Sequence, residues 1–278
     1  MRIPVPVLAL CLGAAGAVHA QGFDHQHKAW DALLRQHVVL ISEGRASQLR
    51  YAALARGRSA LRAYLGTLSA VPRAEFEGWS KPRRMAFLIN AYNAFMVEKV
   101  LTRYPDIRSV WDFGRFFGHP FKDRFIRLLG EDVSLDWIEH DTLRKPGAYD
   151  EPRLHYVLNC AAVGCPMLRE EAYVPERLAE QLEDQARRFL ADRTRNRYSA
   201  AQRRLEVSKV FDWYREDWER GARGFDGGAP PSGSLAEYFA RYAAVLAATP
   251  QGEREIAERR APVVHLEYDW SLNDVPGN

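Results

Sequence analysis

The chain has few cysteines and no strong excess of either charge. Three cysteines occur in 278 residues, which is too few for a disulfide-rich scaffold. Lys and Arg together number 39 against 36 for Asp and Glu, and the formal net charge is +3. Because these charges are interspersed along the chain, the composition gives no electrostatic basis for binding nucleic acid or an anionic membrane surface.

The N-terminal residues have the order of a secretory signal peptide. Arg2 is followed by an apolar run over residues 3–18, which is shorter than a membrane span, and small residues crowd its end. We expect cleavage after Ala20, so that residues 1–20 are the signal peptide and the mature chain is periplasmic. Because no later segment is apolar for long enough to span a bilayer, no membrane span is expected after cleavage.

Removal of the signal peptide takes away Cys11 and leaves two cysteines, Cys160 and Cys165. The periplasm is a compartment in which disulfides persist, so an even pair of cysteines is consistent with a bridge. The four-residue spacer contains Gly164, which allows the turn that would bring the two sulfurs within bonding range. A structural disulfide between Cys160 and Cys165 is therefore one prediction from the sequence.

The pattern of apolar residues predicts one α+β domain over residues 21–278. Helical spacing of Trp30, Leu33, Leu34, Val38 and Ile41 predicts a helical N-terminal part, residues 21–75. Residues 80–104 predict a central helix that is apolar on all sides. Short strands are predicted at 125–129, near 133, at 153–159, at 205–210 and at 262–270.

These elements favour a small, mainly antiparallel sheet covered by many helices, an architecture compatible with papain-like or transglutaminase-like folds. A core is predicted over residues 76–223, and a Gly- and Pro-rich loop over 224–233. A C-terminal helix and strand follow over 234–278. The aromatic residues after 210 are predicted to lie in the core, namely Trp213, Tyr214, Trp218, Tyr238 and Phe239.

Four ordered motifs in this chain resemble the Domain of Unknown Function 547 family, in particular its exported bacterial members. The motifs are AFLINAYNA at 86–94, VSLDWIEH at 133–140, PRLHYVLNCAAVGCPML at 152–168 and YDWSLN at 268–273. Ala161 departs from the family pattern, because members often carry a glycine after the first cysteine. The resemblance implies no particular activity.

Several polar residues in these motifs are candidates for chemistry. Asn90 and Asn93 lie three residues apart on the apolar central helix, where they either tie the helix to neighbouring loops or position a substrate carbonyl. Glu139 and His140 lie on a helix that is predicted over residues 135–144. The strand at 153–159 would place His155 on one face and Cys160 on the other, which does not favour their direct contact.

The cysteines leave several functions open. With His140 or His155 as its base, Cys160 would be the nucleophile of an acyl transferase or amide hydrolase. A bridged pair would instead indicate a non-catalytic domain that binds a small molecule or peptide. Thiol-disulfide exchange is a further alternative, although its usual motif has two residues between the cysteines.

No cofactor is predicted, because a zinc site built from the cysteines and histidines has no common spacing. Arg144 and Arg153 are weaker candidates for binding a substrate carboxylate, since guanidinium groups can bind carboxylates through two hydrogen bonds.

Overall fold

The structure is a computed structural model that describes residues 22–114, 119–228 and 230–275. The predicted signal peptide lies outside these ranges. Within them the α-helices are α1 (Lys28–His37), α2 (Tyr51–Arg56), α3 (Arg58–Ser69), α4 (Arg73–Glu77), α5 (Lys81–Leu101), α6 (Leu178–Ala191), α7 (Val210–Trp213), α8 (Arg215–Glu219), α9 (Leu235–Ala240), α10 (Ala243–Leu246) and α11 (Pro250–Ala257). A π-helix spans Trp137–Leu143.

The strands form small separate sheets. Strands β1 (Val38–Ile41) and β2 (Ala46–Leu49) form one antiparallel hairpin, and β3 (Ile126–Leu128) and β4 (Glu131–Val133) form another. A third sheet has the order β5 (Arg197–Ser199), β6 (Arg204–Val207) and β7 (Val263–His265), with β6 and β7 parallel. Many helices around small, mainly antiparallel sheets confirm the α+β prediction.

Helix α5 is the centre of the core, as its sequence predicted. Its side chains from Met85 to Val97 are buried without interruption. It packs against α3 on one side and against the π-helix on another. A helix that is apolar all round is removed from water only when other elements cover every face. Helix α5 therefore organises the elements that reach the functional site.

The N-terminal part is not entirely helical, and the prediction that placed Val38 and Ile41 on a helix is wrong. Both residues lie in β1, which pairs with β2 in the hairpin. The run Val38–Ile41 is rich in β-branched side chains, which favour strands over helices. Ser42 and Glu43 have positive φ angles of 52° and 57°, which reverse the chain at the turn.

The segment predicted as a strand at 153–159 is a 3-10 helix over Pro152–Tyr156, followed by a loop. Pro152 begins the helix, where its missing N–H costs nothing. The carboxylate of Glu151 accepts a hydrogen bond from the Arg153 N–H at 3.0 Å and caps this end. The strand alternation that placed His155 and Cys160 on opposite faces therefore does not apply.

The aromatic segment after residue 210 forms two short helices, α7 and α8, and the predicted C-terminal helix is divided into α9, α10 and α11. Ser234 is the N-cap of α9, because its hydroxyl accepts a hydrogen bond from the Glu237 N–H at 3.2 Å. Residues 224–228 and 230–233 contain neither helix nor strand, as predicted for this loop.

Two buried asparagines join α5 to later segments of the chain. Asn90 donates to the Tyr173 carbonyl at 2.7 Å and accepts from the Tyr173 N–H at 3.1 Å. Asn93 donates to the Val157 carbonyl at 2.8 Å and accepts from the Asn159 N–H at 2.9 Å. Each amide therefore satisfies backbone groups that have no sheet or helix partner, and Asn93 fixes the start of the loop that carries Cys160.

The last described residues form an extended segment, which we call the C-terminal strap (residues 268–275). The loop over residues 160–165, the cysteine loop, pairs with it through backbone hydrogen bonds. Val163 donates to Ser271 at 2.8 Å, and Gly164 donates to Asp269 at 2.8 Å. A Cβ atom at Gly164 would lie 3.0 Å from the Asp269 backbone, so this close approach requires glycine.

Over the described ranges, no helix combines the length and the apolar character required to cross a membrane.

Substitution Asn93→Ala should lower the free energy of unfolding by about 2 kcal/mol or more, because two buried backbone groups lose their partner. Urea denaturation monitored by tryptophan fluorescence measures this change. The matched control Gln202→Ala removes an exposed amide and should change stability by less than about 0.5 kcal/mol. An Asn93→Ala protein as stable as the wild type would show that this amide does not stabilise the cysteine loop.

Candidate functional site

A cavity of about 500 Å³ opens where α5, the π-helix, the cysteine loop and the C-terminal strap meet. Its polar wall includes Glu139, His140, His155, Cys160 and Cys165, so five of the residues singled out from the sequence lie around one space. Asn90 and Asn93 are not among the lining residues, because their amides are bonded to backbone groups. A cavity of this size can hold a small molecule or the end of a peptide.

The π-helix Trp137–Leu143 carries two of these side chains. Its wider turn is visible in the hydrogen bond from the Arg144 N–H to the Glu139 carbonyl, at 2.8 Å over five residues. Short π-helical segments often occur at functional sites. Glu139 is only 8% exposed although it lines the cavity, so its carboxylate is a buried polar group facing the cavity.

The two cysteines are free, and the predicted disulfide between Cys160 and Cys165 is therefore not formed. The loop instead directs the Cys160 N–H at the Cys165 sulfur, with a distance of 2.9 Å. The Cys165 thiol also lies 3.7 Å from the Leu158 carbonyl. These contacts make Cys165 a hydrogen-bond partner of the loop backbone instead of a bridged half-cystine.

The sulfur of Cys160 lies among hydrogen-bond donors. The Tyr268 hydroxyl is 3.2 Å from it. Burial raises the pKa of the Cys160 thiol, but hydrogen bonds from the Cys165 thiol, the Tyr268 hydroxyl and the Ala162 backbone lower it below its ordinary value. A thiol with a lowered pKa at the wall of a cavity is a candidate nucleophile.

The conformation of the cysteine loop is held by Asn159. Its side chain accepts from the Ala161 N–H at 3.0 Å and donates to the Pro166 carbonyl at 2.8 Å. Ala161 has a φ angle of 63°, the left-handed conformation that glycine adopts most readily. The geometry therefore accounts for the glycine that the resembling family often carries here, and Ala161 adopts the same conformation at a steric cost.

His155 is held by a buried carboxylate that the sequence analysis did not single out. The ring donates from Nε2 to Asp217 Oδ2 at 2.7 Å and stacks on Tyr214, with ring centroids 4.0 Å apart. Burial lowers the pKa of His155 to about 3, and the positive charges of Arg144 and Arg220 act in the same direction. The imidazole is therefore neutral near pH 7, and Asp217 fixes its orientation and its tautomer.

Asp217 joins several groups behind the cavity. Arg144 Nε lies 2.6 Å from Asp217 Oδ2, and Arg220 forms an ion pair with the other carboxylate oxygen. The Arg144 guanidinium also covers the Tyr214 ring at 4.6 Å from its centroid and contacts His140 Nδ1. Since two guanidinium groups already compensate the carboxylate, its charge does not make the His155 imidazolium favourable.

The expected thiol and histidine pair is not among the contacts of Cys160 in the described ranges. The groups that hydrogen-bond its sulfur are Tyr268, Cys165 and the Ala162 backbone. His155 and His140 line the same cavity, but His155 Nε2 contacts Asp217, and His140 contacts Arg144 through Nδ1 and Asp136 through Nε2. A base of the cysteine protease type, in direct contact with the sulfur, is therefore not part of this arrangement.

The two arginines proposed for substrate binding lie elsewhere. Arg144 is directed at Asp217, as described above. Arg153 binds both carboxylate oxygens of Glu151, at 2.8 Å and 2.7 Å, and lines a different cavity with Trp218 and Tyr242. Both guanidinium groups therefore have protein partners.

Sequence reasoning missed Asp217 and the aromatic side of the cavity. Trp213 was predicted to lie in the core, but it is 44% exposed and lines the cavity, whereas Trp218 is buried as predicted. Tyr268 belongs to the last of the motifs that resemble the family, and that motif was the available signal for it. Asp217 has no such signal, because its partners His155 and Arg144 lie more than sixty residues away in the sequence.

Residues 76–190 match the family described as "Protein of unknown function, DUF547". This part of the chain, less than half of it, is therefore similar to that family. The match includes Glu139, His155 and Cys160, but it ends before Asp217 and Tyr268. No curated protein and no solved structure matches the chain.

Substitution Tyr268→Phe should raise the pKa of the Cys160 thiol, because it removes a donor that stabilises the thiolate. A hydrogen bond contributes about 1 kcal/mol, so alkylation of Cys160 at pH 7 should slow by about fivefold. The rate of iodoacetamide labelling as a function of pH, resolved by peptide mass, measures the change. Tyr198→Phe, on β5, is the matched control, and equal rates in the two variants would rule out a role of Tyr268 in activating the thiol.

Proposed function

We propose that the cavity binds a small molecule or the end of a peptide, and that Cys160 attacks its carbonyl carbon in acyl transfer or amide hydrolysis. The observation that carries this proposal is the free Cys160 thiol, which lies on the cavity wall with a lowered pKa. The thiolate is the nucleophilic form of cysteine, so donors directed at the sulfur favour this chemistry.

In the proposed reaction the sulfur forms a bond to the carbonyl carbon, and the bond to the leaving amine or alkoxide breaks. The proton lost by the thiol passes to the leaving group. Water, or the hydroxyl or amine of an acceptor, then cleaves the thioester and returns a proton to the sulfur. Electrons and protons therefore balance without an external oxidant or metal.

Tyr268 is the residue best placed to assist this reaction. Its hydroxyl is 3.2 Å from the sulfur, so it can stabilise the thiolate first and then donate to the oxygen of a carbonyl bound at the sulfur. His155 is neutral, and its pairing with Asp217 holds the ring in the cavity wall. In this proposal His155 positions substrate and water, and it does not form an ion pair with the thiolate.

A second function, a non-catalytic binding domain, is favoured by one observation. The Cys160 sulfur is hydrogen-bonded to a tyrosine, a second thiol and a backbone N–H, whereas His155 and His140 contact Asp217 and Arg144. Such a domain would use the same cavity for a small molecule or peptide. It would keep its affinity when Cys160 is replaced.

We also propose that the mature protein is periplasmic. The support is the order of the N-terminal residues, with Arg2, an apolar run and small residues before Ala20. Cell fractionation and N-terminal sequencing of the full chain expressed in a bacterium with a periplasm should give a periplasmic product beginning at Gln21. A product that retains Met1, or that remains in the cytoplasm, would contradict export.

Incubation with a 4-nitrophenyl ester or a phenyl thioester should add one acyl group to Cys160, because the activated thiol is the nucleophile. Intact mass and peptide mapping would locate the group, and stopped-flow absorbance would follow its formation and loss. Cys160→Ala should lower turnover by about 10³-fold or more, as for other enzymes that lose their nucleophile.

Cys165→Ala is the matched control for this experiment, because it removes the neighbouring thiol and leaves Cys160 in place. The control should still be acylated at Cys160, although more slowly because one donor to the sulfur is lost. Acylation of the wild-type protein at Cys165 in place of Cys160, or unchanged turnover in Cys160→Ala, would exclude Cys160 as the nucleophile. A folded wild-type protein that neither probe acylates would reject the catalytic proposal and leave the binding domain as the function.

A further inference from the structure

One side of the cavity is a continuous aromatic wall, formed by Trp111, Trp213, Tyr268 and Trp270. Trp213 and Trp270 stack with centroids 5.6 Å apart and an interplanar angle of 29°. Tyr268 contacts both of them at 4.8 Å and 4.5 Å, and Trp111 meets Trp270 edge-on at 5.3 Å. These rings hold one another in place. Trp213 is 44% exposed, which is unusual because tryptophan side chains are highly buried on average.

The aromatic wall adjoins the reactive sulfur, because its Tyr268 hydroxyl is the group that lies 3.2 Å from Cys160. A molecule whose carbonyl is at the sulfur therefore places its neighbouring atoms along the tryptophan rings. Aromatic faces attract organic cations through the ring quadrupole, and tryptophan does so most strongly.

The π-helix adds negative charge to the same cavity. Glu139 is buried at the cavity wall, and Asp136 also lines it from the residue before the π-helix. The lysine of the lining, Lys122, is exposed to solvent, where screening weakens its field. The guanidinium groups of Arg144 and Arg220 are directed at Asp217, behind His155, and are not among the lining groups. Arg144 also contacts Nδ1 of His140, whose Nε2 lies 3.5 Å from Asp136 and 3.9 Å from Glu139.

We propose that the molecule bound in this cavity carries an organic cation, an ammonium or guanidinium group, which lies between the tryptophan wall and the carboxylates of Glu139 and Asp136. This proposal rests on the binding cavity of the proposed function and adds the chemical class of its ligand. A carboxylate and aromatic faces together recognise a cation better than either alone, because the cation exchanges its hydration shell for both.

The test uses two probes that differ by the terminal ammonium group of the side chain, Nα-acetyl-L-lysine amide and Nα-acetyl-L-norleucine amide. Their binding to the full mature chain carrying Cys160→Ala is measured by calorimetry and by tryptophan fluorescence, so that no chemistry interferes. The lysine probe should bind at least about tenfold more tightly than the norleucine probe, which corresponds to one charge-assisted contact. Equal affinities, tighter binding of the norleucine probe, or binding of neither probe would overturn the proposal.

Variants in the Cys160→Ala background assign the effect to its residues. Glu139→Gln should remove most of the preference for the lysine probe, and Trp213→Ala should weaken its binding by about three- to tenfold. Glu258→Gln, which neutralises an exposed carboxylate on the surface, is the matched control and should leave the preference unchanged. If Glu139→Gln does not fold, Asp136→Asn provides the comparison, and a preference that survives neutralisation would overturn the assignment.

The outcomes of this experiment and of the acylation experiment are independent, so failure of one proposal can be told from failure of the other. A preference for the lysine probe without acylation of Cys160 would support the cation site and reject the proposed catalysis. Acylation of Cys160 without any preference for the lysine probe would support the catalysis and reject the cation site.

Discussion

The candidate site depends on the backbone pairing between the cysteine loop and the C-terminal strap. The hydrogen bonds from Val163 to Ser271 and from Gly164 to Asp269 bring two segments together that are about a hundred residues apart in the sequence. Without this pairing, Tyr268 would not reach the Cys160 sulfur, and the aromatic wall would lack two of its rings. The pairing in turn requires a loop of fixed shape, which Asn93 and Asn159 provide through their bonds to its backbone.

Two opposing electrostatic effects set the properties of the titratable groups at this site. Burial disfavours charge on both the thiol of Cys160 and the imidazole of His155. At the thiol, donors directed at the sulfur outweigh this penalty and lower the pKa. At the imidazole, the carboxylate that would favour a charge is already compensated by Arg144 and Arg220, so burial prevails and the ring stays neutral.

Sequence reasoning found the elements whose pattern is local. The central helix α5 was predicted because its apolar residues are contiguous in the sequence, and β3 and β4 lie at the short strands predicted at 125–129 and near 133. The 3-10 helix at Pro152 was predicted as a strand because the apolar pattern of five residues is too short to distinguish a helix from a strand. In the third sheet β5 and β6 form a local hairpin, whereas the parallel pairing of β6 with β7 joins distant segments, which no local pattern encodes.

The site was predicted in part for the same reason. Cys160, His155 and Glu139 lie within the family-like motifs, and the structure places them around one cavity. Asp217 and Trp213 lie in a segment that resembles an ordinary buried aromatic helix. Their positions at the site follow from the break between α7 and α8. Trp213 is exposed at the cavity, whereas Asp217 is buried in contact with His155. The segment that matches the family thus supplies the thiol, whereas later segments supply the groups that surround it.

A thiol activated by neutral donors behaves differently from one paired with a histidine. In an ion pair of thiolate and imidazolium, reactivity depends on a second group that titrates near neutral pH. Here the Tyr268 hydroxyl and the Ala162 N–H keep their protons throughout this range, because burial raises the pKa of Tyr268 well above its ordinary value. The thiolate fraction of Cys160 is therefore governed mainly by the titration of the two neighbouring thiols. Burial, the hydrogen bond with Cys160 and the charge of Cys160 raise the pKa of Cys165, so Cys160 ionises first.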